Sequence, residues 1–189
     1  DTDKFKPNSQ LRIDVRSELG IEPNAILVAH IARVDPMKDH QTLFRATKMI
    51  PNMKVLLIGL GTEKLCGESD QYYCLGARND VPKMLTACDI IVSSSAYGEG
   101  FSNAIAEGMS SGLVPVSTDV GDIKEIIGDL GIVVPARQPQ ALGLALQKIA
   151  SESRELHNKR KAEVRSRIER CYSTSEYLNN YKKLYEFLI

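Results

Sequence analysis

The chain has 189 residues, 43% of them hydrophobic, and its 24 Lys and Arg are matched by 24 Asp and Glu. That length suits one domain with a buried core, and the balanced charge argues against recognition of nucleic acid or an anionic membrane by the chain as a whole. No apolar run approaches the roughly 20 residues that span a bilayer, and the polar opening Asp1-Thr2-Asp3-Lys4 has no signal-peptide pattern.

The opening segment is polar and turn-rich at Lys6-Pro7-Asn8-Ser9, which predicts an interdomain linker over residues 1–12 and hence a chain that is part of a longer protein. Five short Val- and Ile-rich runs follow: Ile26-Leu27-Val28, Val55-Leu56-Leu57-Ile58, Ile90-Ile91-Val92, Val114-Pro115-Val116 and Ile132-Val133-Val134. Each reads as a strand buried on both faces, and Tyr72 to Leu75 adds a weaker one. Helical spacing lies between them, at Leu43 to Ile50, Val81 to Ala87, Asn103 to Ser110 and Ile123 to Ile127. The alternation predicts an α/β fold, a Rossmann-like doubly wound parallel sheet of about six strands over residues 13–172. After Pro139 only helices are expected, at Ala141 to Ser151, Arg154 to Arg170 and Thr174 to Leu188, with residues 173–189 as a terminal helix. The basic run His157 to Arg170 also holds Glu163 and Glu169, the pattern of a solvated helix face rather than of a nucleic-acid patch.

Four dispersed cysteines, Cys66, Cys74, Cys88 and Cys171, have neither zinc spacing nor the density of a disulfide scaffold. Reduced thiols in a cytoplasmic protein are therefore expected. The segment Ser93 to Met109 follows a buried strand and opens a helix; Gly98 and Gly100 let a ligand approach the backbone, and Ser102 or Asn103 is placed to cap the helix. Free amides at such a helix start form an anion site. Out of context, Glu99 is a surface loop acid and Glu107 a solvated helix acid. Arg33 and Lys38, in the loop after the first strong strand, could neutralise a diphosphate or simply face solvent. His40 reads as a helix-start residue. Gly59-Leu60-Gly61 begins like a dinucleotide fingerprint, but Lys64 stands where a small residue is required, so a nicotinamide cofactor is not expected and a tight turn close to a ligand is.

In this order along the chain, Asp1 to Pro7, Ala32-Arg33 with Lys38-Asp39, Leu57 to Gly61, Val81 to Asp89, Ser95 to Glu107, Gly112 to Val116 and Asp119-Val120-Gly121 resemble the carboxy-terminal, donor-binding domain of the GT-B retaining glycosyltransferases of group 1, also called family 4. The resemblance implies a transferase that moves a sugar, hexosyl or related, from a nucleoside-diphosphate sugar of UDP or GDP type to an acceptor. It makes Glu99 and Glu107 the family's Glu-x7-Glu pair, with Glu107 on the ribose and Glu99 on the donor sugar. Gly100, Phe101, Ser102 and Asn103 would present backbone amides to sugar and phosphate, Arg33 and Lys38 would hold the leaving diphosphate, and Arg78 would lie near the base.

No cofactor or metal is implied, the sugar nucleotide being a substrate. The missing amino-terminal domain would bind the acceptor, so this half alone is expected to be inactive, and the terminal helix is expected to pack on that missing half. Polysaccharide biosynthesis is the expected setting, with no nucleic-acid partner, and the longer protein could associate peripherally with a membrane. The alternative is a non-catalytic sugar-nucleotide-binding module of the same fold. Asp122 departs from the family pattern by placing an acid near the expected phosphate region.

Overall fold

Six parallel strands form one sheet in the order β3-β2-β1-β4-β5-β6: β1 Leu27–Ile31, β2 Lys54–Ile58, β3 Tyr72–Cys74, β4 Ile90–Ser93, β5 Val114–Thr118 and β6 Ile132–Val134. This is the arrangement in a computed structural model that describes residues 1–50, 52–67 and 69–188, with the backbone alone at Leu188. The helices are α1 Ser9–Glu18, α2 His40–Thr47, α3 Val81–Thr86, α4 Asn103–Ser110, α5 Ile123–Ile127, α6 Pro139–Ala150, α7 Arg154–Cys171 and α8 Thr174–Leu188. The predicted α/β class, strand count and carboxy-terminal helices are all present. Ile189 and the Leu188 side chain, counted in the expected terminal helix, lie outside the described residues.

The apolar runs become strands because neighbouring residues must bury opposite faces. Val28 joins one core with Val55, Leu57, Ile90, Val92, Leu142 and Leu146, under α2 and α6. Its neighbour Ala29 joins the other, with Leu56, Ile58, Ile91, Ile105, Met109 and Val164, under α4 and α7. A strand with both faces covered needs a continuous apolar run and gains roughly 1.5–3 kcal/mol for each fully buried large side chain. Gly108 sets the depth of α4 on the sheet: a Cβ there would lie 2.6 Å from the Ile91 side chain.

The amino-terminal residues depart from a loose linker. Phe5 is buried in the core, and Asn8 caps α1 by accepting from the Leu11 amide at 3.0 Å, so residues 9–12 belong to a helix. Arg12 on that helix reaches Asp89, which is buried, at 2.8 Å, and Arg16 donates to the Ala87 carbonyl at 2.6 Å. Helix α1 escapes periodicity because arginines occupy two of its inward positions. The cysteines require a correction: Cys66 and Cys74 are joined in a disulfide, leaving Cys88 and Cys171 free. Cys74 ends β3 beside the turn that carries Cys66, a proximity that spacing alone does not disclose. Their Cα atoms, 5.8 Å apart, are within bonding reach.

Candidate functional site

The sheet order changes direction between β1 and β4, so the loops leaving the carboxyl ends of these two strands part and leave a crevice, the usual ligand position in open α/β sheets. The loop after β1 is built from two turns. Asp35 accepts from the Met37 amide at 2.9 Å and starts a short 3-10 turn, Pro36–Lys38. Asp39 then adopts left-handed backbone (φ 44°) and caps α2, accepting from the Thr42 amide at 3.1 Å and the Thr42 hydroxyl at 2.6 Å. Lys38 is thus held between two fixed turns, and its carbonyl accepts from Ser94 Oγ at 2.8 Å.

From the other side, the loop after β4 brings Glu99 to Lys38, and Nζ of the lysine donates to Glu99 Oε1. Ser95 donates to the same oxygen at 2.5 Å. Lys38 and Glu99 are 19% and 10% exposed at their side chains, so this pair is largely shielded from solvent, and removing one partner would leave the other's charge partly buried. The loop after β5 closes the crevice. Gly121 (φ 58°) lies so near that a Cβ would sit 2.3 Å from the Glu99 carbonyl oxygen. Thr118 Oγ1 donates to the Ser95 carbonyl at 2.6 Å.

Helix α4 begins just beyond Glu99. Ser102 holds the cap position, yet its side chain makes no capping bond. Among the described residues none of the amides from Gly98 to Asn103 has a hydrogen-bond partner, which leaves a row of donors at the positive end of the helix dipole. Among the described residues a Cβ on Gly100 would meet nothing within 4 Å beyond its chain neighbours, so the backbone is open to space at that position. Glu107 sits four residues into α4, about 6 Å along its axis. Burial raises its carboxyl above the ordinary range, against the pull of Lys4.

Arg33, Lys38, Gly59 and Arg78 line one shallow cavity of about 330 Å³ beside this crevice. Arg33 is folded onto Asp35 at 3.1 Å with its side chain 60% exposed, an arrangement weak enough to be exchanged for a ligand. Arg78 makes a two-pronged pair with Asp80, both contacts at 2.7 Å. Phe101 packs its ring 5.5 Å from that of Tyr172, so it offers its amide rather than its side chain to the crevice. The close approach at Gly59 (φ 151°) is to protein: a Cβ would meet the Ala32 carbonyl oxygen at 2.1 Å. Asp122 is exposed, and its amide donates to the Gly100 carbonyl at 3.4 Å.

The sequence model of the family described as glycosyl transferases group 1 matches residues 12–167. The chain belongs to this family. A D-inositol 3-phosphate glycosyltransferase from Mycobacterium sp. (strain JLS) is 26% identical over 144 residues, a match covering 68% of this chain and 32% of that protein. Among solved structures, a glycosyltransferase from Rickettsia africae ESF-5 superposes with a TM-score of 0.85 at 19% identity, covering 98% of this chain and 54% of its own. HepE from Anabaena, solved in complex with UDP, gives 0.76 at 22% identity, over 88% of this chain and 51% of its own. At these identities the structural matches speak for the fold, and this group 1 glycosyltransferase chain spans between a third and about half of those proteins.

Beneath Lys38 lie groups that pattern reading left aside. His30, next to last in β1, is buried with Nε2 3.3 Å from Ser94 Oγ, and its ring meets that of His40 edge-on at 4.7 Å. His40 is the first residue of α2, as expected. Burial, then His40 and Lys38, push the His30 pKa down to about 3, so the ring is neutral. A histidine inside an otherwise apolar strand run was the available signal.

Proposed function

We propose that the chain is the donor-binding half of a retaining glycosyltransferase, taking a nucleoside-diphosphate sugar and passing its sugar to an acceptor held by the other half of the longer protein. The observation that carries this reading is the meeting of Lys38 with Glu99 at the switch point, beside the unpartnered amides that open α4. Lys38 has three ammonium protons and Glu99 takes one, leaving donors for a diphosphate. Arg33 can leave Asp35 and add a second cation, and the amides of Gly100 to Asn103 supply fixed dipoles. Charge accumulates on the diphosphate as the anomeric carbon–oxygen bond breaks, so groups fixed in advance around it lower the barrier. Losing one such donor costs on the order of 2.7–4 kcal/mol in activation energy.

Glu107 is assigned to the ribose hydroxyls, Glu99 to hydroxyls of the donor sugar and Arg78 to the vicinity of the base. The complex of HepE with UDP supports a uridine nucleotide as the first ligand to try. This assignment places neutralisation of the diphosphate on side chains and amides of the chain itself. The exposed face of α8, with Tyr177, Leu178, Tyr181 and Leu184, is assigned to the other half of the protein; the chain alone then binds donor without transferring sugar.

Calorimetry with UDP and GDP tests the reading. Binding of one of them, weakened about tenfold to a hundredfold in Lys38→Ala and in Glu107→Ala, is expected for lost charge-assisted hydrogen bonds. No binding of either nucleotide at millimolar concentration would remove the site, and undiminished affinity in Glu107→Ala would remove its ribose role alone.

A further inference from the structure

A second cavity, of about 670 Å³, opens at the opposite rim of the sheet. It is bounded by Asn24, which precedes β1, and by Asp89, which precedes β4, so it faces the amino-terminal ends of strands whose carboxyl ends carry the donor loops. Helix α1 contributes Arg12 to its wall, and the start of α7 contributes Arg154, His157 and Lys161.

The charges here do not balance. Asp89 meets Arg12 at 2.8 Å, Lys161 at 3.4 Å and Arg16 at 3.5 Å. Glu152 meets Arg160 at 2.7 Å and His157 Nδ1 at 3.8 Å. Arg154 donates to the neutral Asn24 Oδ1 at 2.5 Å. Along the cavity wall two carboxylates, Asp89 and Glu152, therefore stand among three cations, Arg12, Arg154 and Lys161. Hydrogen bonding is also incomplete. Among the described residues the Lys161 ammonium has one contact, the long one to Asp89, although the side chain is only 25% exposed. His157 is 8% exposed, and its Nε2, closed off from solvent, has no hydrogen-bond partner among the described residues. A half-buried ammonium with three protons and one long contact has donors to spare for an anion.

We propose that this cavity binds a small phosphate-bearing molecule, free phosphate or a phosphate monoester, whose oxygens accept from Lys161, Arg154 and Arg12. The inference does not depend on the donor site. Burial, then Lys161, hold the His157 pKa below its ordinary value, with Asp89 and Glu152 raising it and Arg12 lowering it. An anion in the cavity beside the ring favours the imidazolium, so occupancy raises that pKa.

The test is a titration of the chain with inorganic phosphate, and separately with glycerol phosphate, against chloride at matched ionic strength. The imidazole resonances of His157 are followed by NMR and the affinity by calorimetry. Phosphate should move those resonances and raise the pH at which His157 titrates. Arg154→Gln, an exposed side chain whose loss leaves the core intact, should weaken the binding that His157 reports about tenfold, as should Lys161→Gln; Lys38→Gln, in the donor site, should leave the binding that His157 reports unchanged. Tighter binding of glycerol phosphate than of phosphate identifies a monoester, and equal binding identifies the free ion. Unmoved His157 resonances at millimolar phosphate overturn the proposal. So does binding reported by His157 that survives Arg154→Gln unweakened, or that disappears in Lys38→Gln.

Discussion

Gly121→Ala probes how the crevice is assembled. Gly121 has a φ of 58°, and a Cβ there would lie 2.3 Å from the Glu99 carbonyl oxygen and 2.7 Å from that of Gly100. Gly20 has nearly the same backbone, φ 64°, and among the described residues beyond its chain neighbours nothing lies within 4 Å of the Cβ position. Gly20→Ala should therefore cost only the left-handed penalty of an L-residue, about 1–2 kcal/mol. Gly121→Ala adds a collision with backbone that has no rotamer to give, about 1–3 kcal/mol more by analogy with overpacked cores. For a chain of this size each kcal/mol corresponds to about 2–4 °C of melting temperature. Relief of the clash must push the Glu99–Gly100 peptide away from the β5 loop, so UDP affinity should fall together with stability. Thermal unfolding and UDP calorimetry on both variants measure the difference. Equal losses of stability in the two variants, with UDP affinity intact, would refute the packing of these loops.

Three further outcomes are expected. His30 stays neutral in the fold, its pKa pushed from 6.5 to about 3, so below pH 6.5 the unfolded chain takes up a proton that the folded one refuses. Its contribution is complete above that pH and is lost at about 1.4 kcal/mol per unit as pH falls toward 3; urea unfolding from about pH 7 to pH 5 should show a shallower slope in His30→Leu, and equal slopes would count against it. Cys66 and Cys74 are eight residues apart, so Cys66→Ser should lose about 2–3 kcal/mol of stability, largely through the entropy of the unfolded chain. Thiol titration of the unfolded, unreduced protein should count only Cys88 and Cys171; four thiols would restore the reduced state expected of a cytoplasmic chain. Asp89→Asn, which strands Arg12, Arg16 and Lys161 without their shared carboxylate, should destabilise by about 3–5 kcal/mol in urea unfolding.

The layered sheet was legible in the sequence because a strand covered on both faces must be apolar at every position, and Val55-Leu56-Leu57-Ile58 can be read one residue at a time. The same holds for the loop and helix that carry Glu99 and Glu107, since glycines ahead of a helix start make a local pattern. What the sequence by itself determined is thus the set of strands, their alternation with helices and the chemistry offered at each strand end. The tertiary structure alone decided which ends meet: Lys38 reaches Glu99 across 61 positions, Cys66 reaches Cys74, and Asp89 gathers cations from α1 and α7. Burial of a run depends on neighbours a few residues away, whereas pairing between loops depends on the crossovers that bring β4 beside β1, and no short window of sequence contains both partners.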